Sequence, residues 1–248
     1  MSLYAIGDLH LHYGSELKAR AQLKDPAWVD HELKFKENCS RLIEEDDTLV
    51  LVGDHSWGRN LAECAEDLAY IRSLPGKKIL TRGNHDMFWP AGKTAELNAA
   101  FGPDLRFLQG NYAVYKDFAL IASKGYCFEG PFYLDKKGRV IAYDEKEKAH
   151  ADKLIAREAE RLKTAFELAR ADGYSRFIMF LHYPPTDILE KDSVFTRIAA
   201  SYNVSQVIYA HVHGKKRFND SIIGKYRGRE YSLVAGDYLD WVPKKIMG

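Results

Sequence analysis

Five short groups of carboxylate, amide and imidazole side chains are spread along the chain of 248 residues, each close behind an apolar run. None contains a cysteine, so the donors favour Mn²⁺, Fe or Zn²⁺ over a structural thiolate-zinc site, and the histidines argue against Mg²⁺ or Ca²⁺ alone. The seven candidate ligands suffice for two divalent ions if one carboxylate is shared. Such a pair clamps the oxygens of an in-line displacement, so phosphoryl transfer is the expected chemistry. The candidate ligands are Asp8, His10, Asp54, Asn84, His182, His211 and His213.

Short strands alternating with helical patterns must position these residues, and this alternation is typical of βαβ units with a largely parallel sheet. The carboxyl ends of parallel strands share one edge of an open sheet, so groups far apart in sequence converge there. Gly7, Gly53 and Gly83 each precede a polar residue, where the chain must turn sharply beside whatever is bound. The predicted strands are residues 3–6, 48–52, 78–80, 112–122, 177–181, 206–210 and 231–235.

Two segments have the apolar spacing of helices that cover a sheet. Apolar residues recur at helical spacing over residues 61–71 and again over residues 154–169. Residues 125–138 are rich in aromatic residues, glycine and proline, which predicts a loop. Lys124 and Tyr126 open this loop and are candidate substrate contacts.

The length allows one large domain or two small ones, and the 46% hydrophobic content is ample for a packed core; we expect a single domain over residues 1–248. The 36 lysines and arginines balance the 35 aspartates and glutamates, which argues against binding long nucleic acids or anionic membranes. An anionic substrate must therefore be captured locally. Three scattered cysteines favour reduced thiols, and no secretory leader or membrane-spanning run is present, so we expect a cytoplasmic protein.

The ordered motifs resemble those of a known family. Gly-Asp-Leu-His at 7–10, Gly-Asp at 53–54, Gly-Asn-His-Asp at 83–86, His182 and His-Val-His at 211–213 are similar to the five blocks of the calcineurin-like metallophosphoesterases. One block alone is a weak signal, but five in the family's order span nearly the whole chain. The resemblance implies an α/β fold, a four-layer α/β/β/α sandwich.

The resemblance also implies a role for each site residue. One ion would be held by Asp8, His10, Asp54 and His213, and the other by Asp54, Asn84, His182 and His211. Asp54 would bridge the ions, and a water or hydroxide shared between them would be the nucleophile. His85, which is not a ligand in the family, would protonate the leaving oxygen. The implied activity is hydrolysis of a phosphomonoester or phosphodiester.

The second block departs from that of the phosphoprotein phosphatases, which continues with an aspartate that orients the catalytic histidine and an arginine that holds phosphate. Trp57 and Gly58 occupy these positions. This difference argues against a phosphoprotein substrate and favours a small phosphoester. The block's Gly-Asp-His-Ser-Trp form resembles that of a bacterial group of predicted phosphohydrolases. Arg82 and Lys124 are the first candidates to replace the missing phosphate clamp.

Nucleotide-like esters are candidate substrates, because the aromatic segment offers a face for a flat group. Its aromatic residues are Tyr126, Phe128, Phe132 and Tyr133.

Other polar residues have ordinary interpretations beside functional ones. His12 and His55 adjoin motifs and are candidate phosphate contacts, but polar loop histidines are the favoured interpretation. His31 and His150 lie in charged helical contexts and are predicted at the surface. Asp237 follows the last predicted strand, where it either braces a ligand histidine or serves turn chemistry.

Two alternatives to a small-molecule phosphoesterase remain. A non-catalytic metal-binding scaffold on the same fold, as in the retromer subunit that lacks the catalytic histidine, is disfavoured because His85 is present. A nuclease acting on long DNA is disfavoured by the balanced charge.

Overall fold

Two mixed β-sheets form the centre of the computed structural model, which describes residues 1–14, 25–127, 132–137, 140–189 and 191–248. The first sheet has the order β13-β1-β2-β3-β4, and only β13 in it runs antiparallel to its neighbour. Its strands are β1 (Leu3–Ile6), β2 (Thr48–Val52), β3 (Lys77–Thr81), β4 (Leu105–Leu108) and β13 (Lys244–Met247).

The second sheet has the order β11-β12-β10-β9-β6-β5, with a parallel centre and an antiparallel strand at each edge. Its strands are β5 (Tyr112–Tyr115), β6 (Phe118–Ser123), β9 (Arg176–Leu181), β10 (Gln206–Tyr209), β11 (Gly224–Tyr226) and β12 (Arg229–Leu233). A separate antiparallel pair is formed by β7 (Phe132–Leu134) and β8 (Val140–Tyr143).

Helices cover the outer face of each sheet. The first sheet packs against α1 (His31–Leu42), α2 (Ala65–Arg72) and α3 (Thr94–Phe101), and the second against α4 (Glu145–Ala171) and α5 (Val194–Ser201). Short 3₁₀ turns occur at Pro26–Trp28 and Ala91–Lys93. In the part of the chain described here, none of the helices combines the length and apolar character needed to cross a bilayer.

The strands alternate between two cores, as the period of two in a β-strand requires. In β1, Leu3 and Ala5 point into the core between the sheets, while Tyr4 and Ile6 point into the core under the helices of the first sheet. A third core lies between the second sheet and α4 and α5. The four-layer α/β/β/α sandwich expected from the sequence is therefore confirmed.

Three sequence predictions about elements differ from the structure. Residues 112–122 form a hairpin rather than one strand, because Lys116 adopts a left-handed backbone with φ of 52° and the chain reverses between Tyr115 and Phe118. The predicted loop at 125–138 contains β7, so part of it pairs as a strand; Phe128 lies outside the described residues. The predicted helix at 61–71 begins only at Ala65.

His31 was predicted at the surface, but it is buried at the start of α1. Its Nδ1 lies 3.0 Å from the carbonyl of Trp28, and its Nε2 lies 2.7 Å from the carbonyl of Leu9. The ring also packs against Trp28 and Trp241, with centroid distances of 5.4 and 4.5 Å. The helical charge pattern does not reveal the contacts with Leu9 and Trp241, because these two partners are distant in sequence. His150 is exposed, as predicted.

Candidate metal centre

The candidate ligands lie just beyond the carboxyl ends of parallel strands from both sheets. Asp8 follows β1, Asp54 follows β2, and Asn84 follows β3. His182 and His211 follow β9 and β10 of the second sheet. Because the two sheets pack face to face, their strand ends open onto one common edge of the molecule.

Two groups of side chains at this edge could each hold a cation. The first contains Asp8, His10 and His213, and the second contains Asp54, His182 and His211. Within each group the ligand atoms lie within 4.8 Å of one another. Each group contains three of the four residues in one of the ligand sets expected from the motifs; Asp54 is in the second group only, and Asn84 is in neither.

Asp54 belongs to the second group and also approaches His10 of the first. Its Oδ2 atom is 3.3 Å from His182 Nε2 and 3.7 Å from His10 Nε2. Asn84 reaches the second group through its Oδ1 atom, which lies 2.7 Å from His182 Nε2. A carboxylate in this position is able to serve both groups at once.

Several buried polar atoms at the centre lack hydrogen-bond partners among the described residues. They are Asp8 Oδ1 and both ring nitrogens of His10, whose side chain is 2% exposed. Unsatisfied polar atoms in a buried position are costly, and a cation bound by these donors would remove the cost. The set of carboxylate, amide and imidazole donors fits Mn²⁺, Fe or Zn²⁺.

The charges around the centre shift the pKa values of its acids and bases. Burial raises the pKa of Asp8 to about 6, although nearby His213 and His182 oppose the shift. Burial would also raise the pKa of Asp54, but His182 and His10 lower it well below its usual value. For His182, burial would lower the pKa, yet the carboxylates of Asp54 and Asp8 raise it to about 9. The carboxylate of Asp54 and the imidazolium of His182 thus favour each other's charged form.

The backbone at the centre is strained. Asp8, His10, Asp54 and His211 all have positive φ angles, between 44° and 71°, which residues with a Cβ rarely adopt. Such strain is concentrated at functional sites, where surrounding bonds hold it. Gly53 also has a φ of +79°, and a Cβ there would lie 2.7 Å from His182 Cγ.

Asp86 connects the turns after β2 and β3. Its carboxylate accepts hydrogen bonds from the backbone N–H groups of Asp54, His55 and Gly83, at 3.0, 2.8 and 2.7 Å. The sequence placed Asp86 in a motif without giving it a role. Three charge-assisted bonds from one buried carboxylate fix the backbone that carries Asp54.

His55 was predicted to be a polar loop histidine, but it is fully buried at the end of β2. Its Nε2 lies 2.9 Å from the carbonyl of Thr81, the last residue of β3. The side chain therefore joins two strands and is not a phosphate contact. His12 is half-buried and belongs to neither group of candidate ligands.

Asp237 lies behind the first group. Its Oδ1 atom is 3.0 Å from His213 Nδ1, which leaves Nε2 of that ring directed toward Asp8, 3.7 Å from Oδ1. Its Oδ2 atom accepts from the backbone N–H of Gly214 at 2.9 Å. Asp237 was expected either to brace a ligand histidine or to serve turn chemistry. The contact with His213 favours the first interpretation.

His85 lies at the mouth of the centre with 39% of its side chain exposed, and its Nε2 is 4.0 Å from Asp54 Oδ2. No carboxylate is hydrogen-bonded to its ring among the described residues. Instead the ring packs against Trp57 at a centroid distance of 4.3 Å. Trp57 also stacks on His10 at 4.9 Å, and the rings of His10 and His85 are themselves 5.4 Å apart, so the three rings pack against one another.

The four residues suggested as substrate contacts lie in different places. Lys124 follows β6 with its ammonium 5.7 Å from the ring centroid of Tyr126, and burial lowers its pKa to about 8. Arg82 follows β3, and its Nε donates to the carbonyl of Trp89 at 2.5 Å. Lys124 and Tyr126 both lie against Tyr183, whose ring packs on His211 of the second group, and Arg82 is two residues from Asn84. His12 lies apart from these residues, near Asp67.

Comparison with known proteins gives a family and a fold. A sequence model of calcineurin-like phosphoesterases matches residues 1–215. A protein of unknown function from Aquifex aeolicus aligns with a TM-score of 0.53 at 18% identity, covering 98% of this chain and 95% of that one. The phosphopantetheinyl hydrolase of Mycobacterium tuberculosis gives a TM-score of 0.57 at 15% identity, with 99% and 95% covered. A protein from Thermus thermophilus gives a TM-score of 0.50 at 13% identity, with 86% and 82% covered. No curated protein matches the chain significantly in sequence.

Proposed function

Because the chain belongs to the calcineurin-like phosphoesterase family, a family of metal-dependent hydrolases, we propose that it hydrolyses a small phosphoester with two divalent ions bound at the strand ends. The observation that carries this proposal is that the Asp54 carboxylate belongs to the second group of ligand atoms and also lies 3.7 Å from His10 of the first. Two such ions would attract the phosphoryl oxygens and would bring the pKa of a bound water from 15.7 toward about 7. Asp54 is the proposed bridge between them.

His85 is the proposed donor of a proton to the leaving oxygen. Burial lowers its pKa, although the carboxylate of Asp54 opposes the shift. Its ring is half-exposed at the mouth of the centre, where it can reach a bound ester. Packing against Trp57 would keep the ring facing the centre, in the place of the aspartate found in phosphoprotein phosphatases. Trp57 is thus proposed to position His85 by contact rather than by charge.

A small substrate is proposed because no arginine clamp follows Asp54 in the second block. Gly58 occupies that position, and a Cβ there would lie 3.0 Å from the backbone nitrogen of Cys64, so the turn has no room for a long side chain. A cleft of about 310 Å³ beside Tyr126 offers space for the organic part of an ester. Its apolar lining includes Cys127, Ile155 and Phe195.

The test is a hydrolysis screen of the Mn²⁺-loaded protein. The substrates are p-nitrophenyl phosphate, bis-p-nitrophenyl phosphate, cyclic nucleotides, dinucleotides and a phosphopeptide. A phosphopantetheinyl ester is included as well, because the structurally similar Mycobacterium tuberculosis protein is named a phosphopantetheinyl hydrolase. Turnover of a small ester with a higher kcat/KM than the phosphopeptide is expected. Tight metal binding without turnover of any substrate would instead support the scaffold alternative.

His85→Ala tests the proposed proton donor, with His150→Ala on the exposed face of α4 as the matched control. A general acid is worth roughly 10²- to 10⁴-fold in rate, so His85→Ala should lose that factor on esters with an alkoxide leaving group. Nitrophenolate leaves without a proton, so the loss on p-nitrophenyl phosphate should be much smaller. Equal losses on both ester types would rule out the acid role, and metal content must remain that of the control.

A further inference from the structure

Two cations beside the candidate metal centre have no anionic partner among the described residues. The Arg82 guanidinium donates from Nε to the carbonyl of Trp89, and no carboxylate lies within ion-pair distance of it. The Lys124 ammonium lies 5.3 Å from the ring centroid of Tyr183 and also has no carboxylate within that distance. Both side chains are half-buried. A cation that loses hydration without gaining a partner is unfavourable, and a bound anion would supply that partner.

Both cations lie on the side of Asn84 and His182. Arg82 is separated from Asn84 only by Gly83. The carbonyl of Lys124 accepts from the backbone N–H groups of His182 and Tyr183, at 3.1 and 2.9 Å. This pairing fixes where the lysine side chain leaves the sheet. The two cations therefore flank the second group of candidate ligands rather than the first.

Helix α4 adds positive charge to the same flank. Glu158 of α4 is fully buried, accepts from Gln109 Nε2 and Ser123 Oγ, each at 2.9 Å, and forms ion pairs with Arg161 and, at 3.6 Å, Arg157. The Gln109 side chain in turn accepts from the backbone N–H of Lys124 at 2.7 Å.

Glu158 therefore ties α4 to the backbone of Lys124 and brings two guanidinium groups close to it. Only Arg157 and Arg161 pair with Glu158, so four cations share the neighbourhood of one carboxylate, in a chain whose net charge is only +1.

We propose that Arg82 and Lys124, backed by Arg157 and Arg161, form a second anion site that binds a phosphate group other than the one hydrolysed. This inference rests on the proposed function. The substrate class is then a small ester that carries two phosphate groups, one at the strand ends and one on the cationic flank. Arginine offers a planar fork to phosphate oxygens and lysine a point charge, so the pair suits a dianionic group.

The kinetic test compares two adenosine phosphates on the Mn²⁺-loaded enzyme, adenosine 3′,5′-bisphosphate and adenosine 5′-monophosphate. Wild type should prefer the bisphosphate, and Lys124→Met should reduce this preference about tenfold, mainly through KM. Arg157→Gln, at an exposed position, should reduce it by about threefold. Lys163→Met, an exposed lysine elsewhere on α4, is the charge-matched control and should leave the preference unchanged.

A second measurement does not need turnover. Inorganic pyrophosphate is titrated calorimetrically into the metal-free protein, where the four cations are present and the ions that would themselves bind pyrophosphate are not. Binding that weakens about tenfold in Lys124→Met but not in Lys163→Met supports the site even if no adenosine phosphate is hydrolysed. Absence of pyrophosphate binding to wild type, or an equal loss by Lys124→Met on both adenosine phosphates, overturns it. An equal loss on both adenosine phosphates would mean that Lys124 contacts the hydrolysed phosphate or stabilises the fold.

Discussion

Gly83→Ala tests whether close packing around Asp54 sets the geometry of the centre. A Cβ at Gly83 would lie 2.9 Å from Asp54 Cγ, and nearer still to its Oδ1 and backbone nitrogen. Ordinary carbon contacts begin at about 3.5 Å, so the carboxylate carbon alone must move by at least roughly 0.6 Å, and the nearer atoms must move further. Metal sites tolerate deviations of only about 0.2 Å in ligand distance. The methyl group should therefore displace the proposed bridge beyond that tolerance.

The cost to stability follows from the same overlap. Overpacking a well-packed site costs typically about 1–3 kcal/mol, which for a chain of this length lowers Tm by roughly 2–12 °C. Gly92→Ala is the matched control, because a Cβ there meets nothing within 4 Å. Neither glycine has a left-handed φ, and both substitutions restrict the unfolded chain alike. The difference between the two variants therefore reports the folded state alone.

The assay combines differential scanning fluorimetry, with and without Mn²⁺, and elemental analysis of bound metal. Gly83→Ala should lose the Mn²⁺-dependent part of its Tm and retain less than half of the metal bound by Gly92→Ala. If Gly83→Ala kept full metal content and a Tm within about 1 °C of the control, the packing argument would be refuted. The turn would then be able to absorb the methyl group.

Three further outcomes are expected. Asp86→Ala removes the acceptor of three backbone N–H groups, so the free energy of unfolding should fall by about 3–5 kcal/mol in urea titration; a loss below about 1 kcal/mol would contradict its role. Asp237→Asn should weaken Mn²⁺ binding roughly 10- to 100-fold, whereas exposed Asp240→Asn should not. Because the pKa of His182 is raised to about 9, its ring is protonated in the metal-free protein at pH 7.5, and Mn²⁺ binding should release roughly one proton, measured calorimetrically in two buffers. Proton release should diminish above pH 9. Absence of proton release at pH 7.5 would contradict the assignment of His182 as a ligand that is protonated in the metal-free protein.

The fold was largely predictable because its strands obey local rules. Strands buried on both faces are continuous apolar runs, and the runs that became β1, β2 and β9 were identified within one residue of their observed bounds. The edge strands were harder to find, since β11 and β13 are short and carry lysines. The hairpin of β5 and β6 was missed because Lys116 and Asp117 are not the residues usually found in a two-residue turn.

The candidate ligands could be named from the sequence because each follows a strand whose end is fixed by the fold. The surroundings of those ligands could not. Trp28 lies 5.2 Å from the ring of His213, yet the two are far apart in the chain and share no motif. The burial of His31 and His55 likewise depends on carbonyl groups supplied by other segments. Such contacts are tertiary, and local spacing carries no signal for them.

Hydrogen bonds to backbone N–H groups stabilise the strained backbone at the centre, so bound ions are not needed to produce this conformation. Left-handed backbone at a residue with a Cβ costs about 1–3 kcal/mol, and four candidate ligands adopt it. Opposing this cost, Asp86 binds the turns after β2 and β3, and Asp8 Oδ2 accepts from the backbone N–H of His211 at 2.9 Å. The backbone N–H of His85 similarly donates to Asp54 Oδ1 at 2.7 Å. Since carboxylates of the centre bind the same turns that carry its ligands, the ligand geometry is set by the folded chain, and the ions would enter a site that is already formed.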